Sequence, residues 1–435
     1  MFEYSSVGVN ERDGFQLSLA EAAAISRLNR QLGRRYGTRR DILKTEFDGS
    51  KPRRLVSSSF VGVVSVGRKL IHILPKMAKG NPGTESAYSD QAIENLLYML
   101  RYTRKITVRE AGVVALPKVQ GDLLEVLIFL FADNLLRLVQ NDTYKEYSYC
   151  ENILPFLKGK LRFSDQMKQD FCRKPRFAVT YDEFAEDNAL NQVFLYVASV
   201  LQRVTALETN RRLLRIVDAI FADVTLRQIS SADAASIHLT RLNQRFEPIL
   251  NLCKLFLEHE IVQAGPGGTR TYSFLFDMNV LFEEFIGEFI RREFRSEFVD
   301  IQLQRPRRNF VEMKSVDNVP QRPLFQLKPD IFLRERSDAL PTIVDTKYKL
   351  LDPDDEKEGI TQSDLYQMYA YARKYGTPSV VMLYPRPYGQ EKRNLCFQIE
   401  TDSPIRVFVR TVDLCRNLRH EKLALRQELL ESIKV

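Results

Sequence analysis

The stretch Pro341–Leu351 reads PTIVDTKYKLL. Thr342, Ile343 and Val344 lead into Asp345, and Lys347 follows two positions later. Side chains on a strand alternate between its faces. Asp345 and Lys347 therefore share a face, joined by Lys349 if the strand runs that far, while Val344, Thr346 and Tyr348 take the other. A strand with so apolar a start reads as buried, and an acid and a base on one face of it need a partner. Asp330, in KPDIF, lies 15 positions upstream of Asp345. The intervening RERSDAL is polar enough to be a hairpin turn, and pairing the two arms would set Asp330 beside Asp345.

Two carboxylates that close repel each other, and one holds its proton unless a cation intervenes. A hard divalent cation such as Mg²⁺ suits an oxygen-only site of this kind. A neighbouring lysine then orients a water or steadies charge on a phosphoryl group. Together these are the parts of metal-assisted phosphodiester hydrolysis. Pro-Asp followed by Asp-x-Lys at this spacing resembles the PD-(D/E)xK nuclease superfamily. A bare Asp-x-Lys is also what an ordinary ion pair on a surface strand looks like, so its strand context carries the reading.

Two further elements fit the same chemistry. In the helix DMNVLFEEFIGEFIRREF (Asp277–Phe294), Phe282, Phe285, Ile286, Phe289 and Ile290 form the apolar face. Glu283 sits at its margin beside Gly287, where a carboxylate can reach over a sheet edge; Glu293 is a rival, and Glu284 and Glu288 face away. Gln367 and Tyr371 stand one helical turn apart in SDLYQMYAYARKYG (Ser363–Gly376). In some members of the superfamily such a pair adjoins the active site and contacts DNA. Alternatively, Asp364 and Gln367 form a capping box that occupies Gln367 locally.

The chain has 435 residues, which at roughly 100–200 residues per domain predicts two to four domains. A net charge of +8 leans towards an anionic partner. The five cysteines and four histidines are scattered, which argues against a disulfide framework or a Cys/His zinc site and fits a reducing cytoplasm. No signal peptide or membrane span is legible, so no membrane partner is expected. No GxxxxGK[ST] occurs, so the chain should not hydrolyse a nucleotide alone.

Three regions are expected. Residues 1–88 read as a β-rich module with a basic segment that includes Arg34, Arg39, Arg40, Lys51, Arg53 and Arg54. A Gly67-Arg68 hairpin turn and a linker at Ala78–Ala87 fall near its end. Residues 89–270 read as mostly helical, opening at Ser89 or Asp90 as an N-cap and closing at the turn-rich QAGPGGTRT. Residues 271–435 alternate helix and strand. The expected fold class is α/β and multi-domain, ending in a mixed sheet flanked by helices.

FVGVVSVGRKLIHILPKM, ENLLYMLRY, LKGKLRF, EDNALNQ, LFEEFI, KPDIF, IVDTKYK, DLYQMYAYA and MLYPRP follow one another along the chain. In that order they resemble the McrC family, the nuclease subunit of modification-dependent McrBC restriction systems. The resemblance spans roughly residues 54–435. It implies a DNA endonuclease subunit that acts with, and stimulates, a separate AAA+ GTPase hexamer, McrB. That partner selects modified double-stranded DNA. Carried over by position, Asp330 and Asp345 are the metal ligands and Lys347 is catalytic. Glu283 matches a position that is not uniformly acidic, and Gln367, Tyr371 and Lys349 are the expected DNA contacts. The partner-docking segment is expected within Tyr144–Asp182. Two rivals stand: an inert regulatory subunit that only activates the GTPase, and a stand-alone repair nuclease.

Overall fold

The computed structural model describes residues 1–9, 15–36, 41–49, 51–67, 69–78, 85–103, 123–140, 142–168, 176–259, 263–264, 270–304, 308–313, 322–335, 340–352, 354–399 and 404–434. The chain divides into two compact units. One comprises Met1–Ile106, Gln120–Leu123 and Glu260–Val435; the other comprises Thr107–Val119 and Leu124–His259. Residues 1–88 and 271–435, expected as separate regions, both fall in the first unit.

That unit opens with β1 (Ser6–Gly8), α1 (Leu19–Tyr36), β2 (Leu43–Asp48) and β3 (Lys51–Ser57), the strands forming an antiparallel sheet in the order β1-β3-β2. Ser18 and Glu21 exchange side-chain-to-amide bonds of 2.8 and 3.3 Å at the start of α1, satisfying two of its unpaired donors. The helix buries Ala22, Ile25, Leu28 and Leu32 against the strands. Of the basic segment, Arg53 pairs with Asp48 at 3.4 Å, and Arg39 and Arg40 lie outside the described residues. β4 (Phe60–Val66) and β5 (Lys69–Ile73) form the expected hairpin. Gly67 adopts a φ of 64° there, a conformation that glycine takes without steric cost; Arg68 lies outside the described residues. α2 (Glu85–Tyr102) starts before Ser89 and Asp90, so neither opens it. Most of the expected linker lies outside the described residues.

The second unit contains α3 (Leu123–Val139, from Leu124 onward), β6 (Glu146–Leu154), β7 (Lys160–Leu161), α4 (Phe163–Gln166), β8 (Phe177–Ala185), α5 (Ala189–Val204), α6 (Glu208–Ile220), α7 (Ser231–Ala235) and α8 (Glu247–His259). The apolar run of α3 buries Leu127, Ile128, Phe131 and Leu135. Its one buried acid, Glu125, accepts from Thr205 Oγ1 and the Ala206 amide at 2.6 Å and from Asn210 Nδ2 at 2.7 Å. The carboxylate thus sits at the N-terminal end of α6, where the helix dipole favours negative charge. β6, β8 and β7 form a three-stranded antiparallel sheet.

The chain returns to the first unit through β9 (Gln263–Ala264) and β10 (Arg270–Asp277). β10 pairs antiparallel with β4, Phe274 opposite Val63, giving a sheet in the order β5-β4-β10-β9. A Cβ on Gly62 would lie 2.1 Å from the Phe274 carbonyl oxygen, so only glycine fits there. Asp277 caps α9 (Met278–Glu293) by accepting from the Asn279 amide at 2.9 Å. Then come β11 (Phe298–Leu303), β12 (Arg308–Met313), β13 (Arg322–Leu327), β14 (Ile331–Glu335), β15 (Pro341–Thr346), α10 (Gln362–Tyr375), β16 (Ser379–Arg386), β17 (Asn394–Ile399), β18 (Ile405–Asp413) and α11 (Lys422–Ile433).

A six-stranded mixed sheet in the order β11-β14-β15-β16-β18-β17 forms the framework. β14 and β15 are antiparallel, and β15, β16 and β18 are parallel. The segment LFQLKPDIFLRE forms two strands: β13 pairs with β12 and β14 joins the large sheet. Pro329 separates them, because proline cannot donate to a ladder. Val412 and Asp413 belong to β18, and the final helix begins only at Lys422. Phe332, Ile343, Val380 and Met382 pack with Met368 and Ala372 of α10. Among the described residues no helix is long and apolar enough to cross a membrane.

Candidate active site

The site grows from the β14/β15 hairpin. Ile331 pairs with Val344 and Phe332 with Ile343, so the same register sets Asp330 opposite Asp345. Asp330 is fixed by its neighbour on that strand, its Oδ2 accepting from the Thr346 amide at 2.7 Å and from Thr346 Oγ1 at 2.8 Å. Asp345 is 1% exposed, in the middle of the sheet. It points with Ile343 towards the α10 face; Tyr348, on the other side, packs on Phe282 of α9, ring centroids 5.6 Å apart.

Lys347 lies one residue past β15, its amide bonded to the Leu383 carbonyl at 2.9 Å. Its Nζ lies 2.8 Å from Asp345 Oδ2 and donates to Gln367 Oε1 at 2.8 Å. The Gln367 amide nitrogen donates to Tyr371 Oη at 2.9 Å, and Tyr371 Oη donates to the Lys328 carbonyl at 3.0 Å. This directed chain gives the lysine a second hold besides the carboxylate. Gln367 is available for it because the capping box of α10 uses Thr361 and Asp364 instead. Lys349, expected on the same face as Lys347, pairs with Asp364 at 2.9 Å.

Glu283 reaches the site from α9. Gly287 allows the approach: a Cβ there would meet Leu303 Cδ2 of β11 at 3.1 Å. Glu283, Glu284, Glu288, Leu303, Gln304 and Asp330 line a cavity of about 260 Å³. Glu284 and Glu288 therefore do not face away as expected. Glu293 is spent elsewhere, accepting from Tyr102 Oη at 3.0 Å and pairing with Lys422 at 2.8 Å.

Sequence reasoning missed Gln304. Its side-chain amide donates to Glu283 Oε1 and its backbone amide to the Asp330 carbonyl at 2.7 Å. It adopts a φ of 53°, a region non-glycine residues seldom occupy and one that clusters at functional sites. Nothing in its sequence context signals that conformation. Lys328 was also passed over; its charge favours the ionised forms of Asp330 and Glu283.

Burial and mutual repulsion dominate the electrostatics. Burial pushes the Asp345 carboxyl up to about 7, the charge of Asp330 adding to it and Lys347 opposing it. Asp330 is raised chiefly by burial, with the Thr346 bonds opposing. Glu283 is raised by burial and then by Asp330. Burial works against the Lys347 charge, but Asp345 first and then Asp364 and Asp330 outweigh it, so its ammonium is held above its ordinary value. Asp345 Oδ2 has that single cation beside it and no other donor among the described residues.

This is an oxygen-only donor set that is short of positive charge, which fits a hard divalent cation. Among the described residues no group of three or more His, Cys, Asp or Glu encloses a metal position. Mg²⁺ does not require one, since it is commonly held by one or two carboxylates and keeps several waters.

A family model described as "McrBC 5-methylcytosine restriction system component" matches residues 55–385. The chain belongs to this family. The McrBC match takes in Asp330, Asp345, Lys347 and Gln367. The chain is 23% identical over 266 residues to the type IV methyl-directed restriction enzyme EcoKMcrBC of Escherichia coli (strain K12), covering 59% of this chain and 73% of that protein. Its fold matches a chain of the refined half-complex from the tetradecameric assembly of Thermococcus gammatolerans McrB AAA+ hexamers with bound McrC. There the TM-score is 0.73 and the identity 23%, over 99% of each chain. A chain of the T. gammatolerans McrBC complex matches with a TM-score of 0.52 and 23% identity, over 67% of this chain and 86% of that one.

Proposed function

We propose that this chain is the DNA-cutting subunit of a McrBC-type restriction system, a cytoplasmic Mg²⁺-dependent endonuclease with a PD-(D/E)xK fold that works with an AAA+ GTPase hexamer. The observation that carries the reading is the Asp330–Asp345–Lys347 cluster, assembled by one hairpin and tied by Lys347 to Gln367. A purely structural strand gains nothing from burying an under-compensated carboxylate, because breaking or incompletely satisfying such a charge is costly. Raised carboxyl pKa values gathered at one spot are the usual mark of a functional site.

Asp330 and Asp345 would hold the metal, with Glu283 flanking it. When bound, Mg²⁺ supplies Lewis-acid polarisation of the phosphate and acidifies water. Lys347 carries a fixed positive charge beside the reacting phosphoryl group, where preorganised charge stabilises the transition state. Gln367 and Tyr371 set the direction of that ammonium. Water adds to phosphorus, the P–O3′ bond breaks, the 3′ oxygen leaves as a hydroxyl, and the 5′ side keeps the phosphate. Gln367 and Lys349 border the path of the DNA backbone, whereas Tyr371, expected to contact DNA, is buried and acts through Gln367.

The docking element for the GTPase is the β6-β8-β7 sheet and its flanking turns. Tyr147, Tyr149, Phe156, Leu157, Phe163, Met167 and Phe184 are all exposed there, a concentration of apolar side chains that marks an interaction surface. Reconstitution with the GTPase, GTP and 5-methylcytosine-bearing plasmid tests both roles. Lys347→Ala should abolish cleavage and leave GTPase stimulation intact. Unchanged cleavage would overturn the nuclease assignment, and loss of stimulation would overturn the separation of the two roles.

A further inference from the structure

The residue after Lys347 is held by the far end of the sequence. Tyr348 is 3% exposed and Glu3 1%. The Tyr348 hydroxyl donates to Glu3 Oε1 at 2.5 Å, and the same oxygen accepts from the Lys76 amide at 2.9 Å. Lys76 Nζ donates to the Tyr348 carbonyl at 2.9 Å. Its ammonium lies 4.4 Å from the Tyr348 ring centroid and 4.5 Å from that of Tyr4. Both ends of Tyr348 are thus gripped by the segments around Glu3 and Lys76. Those segments are joined to each other, since the Glu3 amide donates to the Leu74 carbonyl at 2.8 Å.

The location of this grip gives it meaning. β15 ends at Thr346, and the Lys349 amide donates to the Lys347 carbonyl at 2.8 Å. That is a three-residue turn centred on Tyr348. Upstream, Lys347 is fixed by the sheet; downstream, it is fixed by whatever fixes Tyr348. The Tyr348 ring also touches Phe282, the neighbour of Glu283. One side chain therefore adjoins both the lysine of the site and the helix that carries Glu283.

As a stability device the arrangement is poor. Burying a charged group costs stability unless its bonds are complete, and Glu3 Oε2 has no hydrogen-bond partner among the described residues. Burial pushes the Glu3 carboxyl up to about 7 against the pull of Lys76 and Tyr348. Its directional bonds are what an apolar replacement would lack.

We propose that Glu3 and Lys76 are positioning residues for Lys347: by holding the hydroxyl and carbonyl of Tyr348, they fix the turn after the catalytic strand and so the reach of Lys347 Nζ to Asp345. This rests on the nuclease reading above. The test uses the full chain reconstituted with its GTPase, GTP, Mg²⁺ and 5-methylcytosine-bearing plasmid. It reads the cleavage rate at saturating Mg²⁺, the Mg²⁺ midpoint, GTPase stimulation and thermal denaturation. Tyr348→Phe and Glu3→Ala should slow cleavage by about tenfold to a hundredfold, the scale of a small misplacement of a catalytic group, without moving the Mg²⁺ midpoint or GTPase stimulation. Glu3→Gln keeps the accepting oxygen and should restore the rate to within about threefold.

Tyr348→Phe with a parent-like melting curve and a parent-like rate would overturn the proposal, even if Glu3→Ala failed to fold. Rate, midpoint and GTPase stimulation falling together would also overturn it, because that is a structural defect. Lys347→Ala separates the two readings. If that variant cuts normally, the nuclease reading fails. If it is inactive while Tyr348→Phe and Glu3→Ala cut normally, only the positioning role fails.

Discussion

Replacing Asp345 with asparagine should stabilise the metal-free protein while destroying its activity. The buried carboxyl is raised from an ordinary 3.8 to about 7, first by burial and then by Asp330. The unfolded chain therefore loses this proton near pH 4, and the folded chain keeps it until about pH 7. Across that window the folded state binds more protons, so the contribution of Asp345 to stability falls as pH rises and levels off above about 7. At about 1.4 kcal/mol per pKa unit the full loss is roughly 4 kcal/mol. Asparagine resembles the protonated form and escapes it. Lys347 loses its ion partner in the variant but keeps Gln367 Oε1 at 2.8 Å, so a net gain of about 2–4 kcal/mol at pH 8.5 is expected, against under about 2 kcal/mol at pH 5. Urea denaturation in EDTA, followed by circular dichroism at both pH values, measures the gap. Mg²⁺ at pH 8.5 should stabilise the parent and not the variant, narrowing the gap. A gap that fails to widen with pH, or a parent more stable than the variant at pH 8.5 without metal, would refute the electrostatic account.

Gln367→Leu should leave Lys347 without its second anchor and lower cleavage by about tenfold to a hundredfold with little change in melting temperature, measured by plasmid nicking under single-turnover conditions. Glu283→Gln removes one of three mutually repelling carboxylates; it should weaken Mg²⁺ binding, seen as a rightward shift of the Mg²⁺ dependence of cleavage. Paired Phe163→Asp and Met167→Asp substitutions, at residues 72% and 80% exposed, should abolish GTPase stimulation without altering the Mg²⁺-induced stabilisation of the chain. Gly62→Ala places a methyl group into the Phe274 carbonyl and should destabilise the first unit by about 2 kcal/mol or more in denaturant titration.

The hairpin was legible because its information is local. Period-two alternation separates Asp345 and Lys347 from Val344 and Tyr348, and a turn-rich gap of the right length brings Asp330 opposite Asp345. The apolar face of α9 was legible for the same reason, with Phe282, Phe285, Ile286, Phe289 and Ile290 all buried as the helical period requires. What the sequence hid depends on approach angles and distant partners. Glu284 and Glu288 line the cavity because Gly287 lets the helix settle against Leu303, which no helical wheel contains. Gln304 acts through a left-handed backbone conformation that its neighbours do not announce. The pairing of Lys349 with Asp364, read only as a cap, was hidden too, because the two lie on different elements. Glu3 was invisible: its partner Tyr348 is 345 positions away.

The pairing of β4 with β10 sets a timetable for synthesis. Phe60–Val66 is an almost wholly buried strand, and one of its two ladders waits for Arg270–Asp277. At about 5–20 residues per second, the roughly 200 residues between them take on the order of 10–40 s to emerge from the ribosome. During that interval one edge of an apolar valine-rich strand has no native partner, while the whole second unit is made and can fold. An unpaired apolar edge of that kind favours chaperone binding until β10 appears, and the first unit cannot be completed before the second has been synthesised.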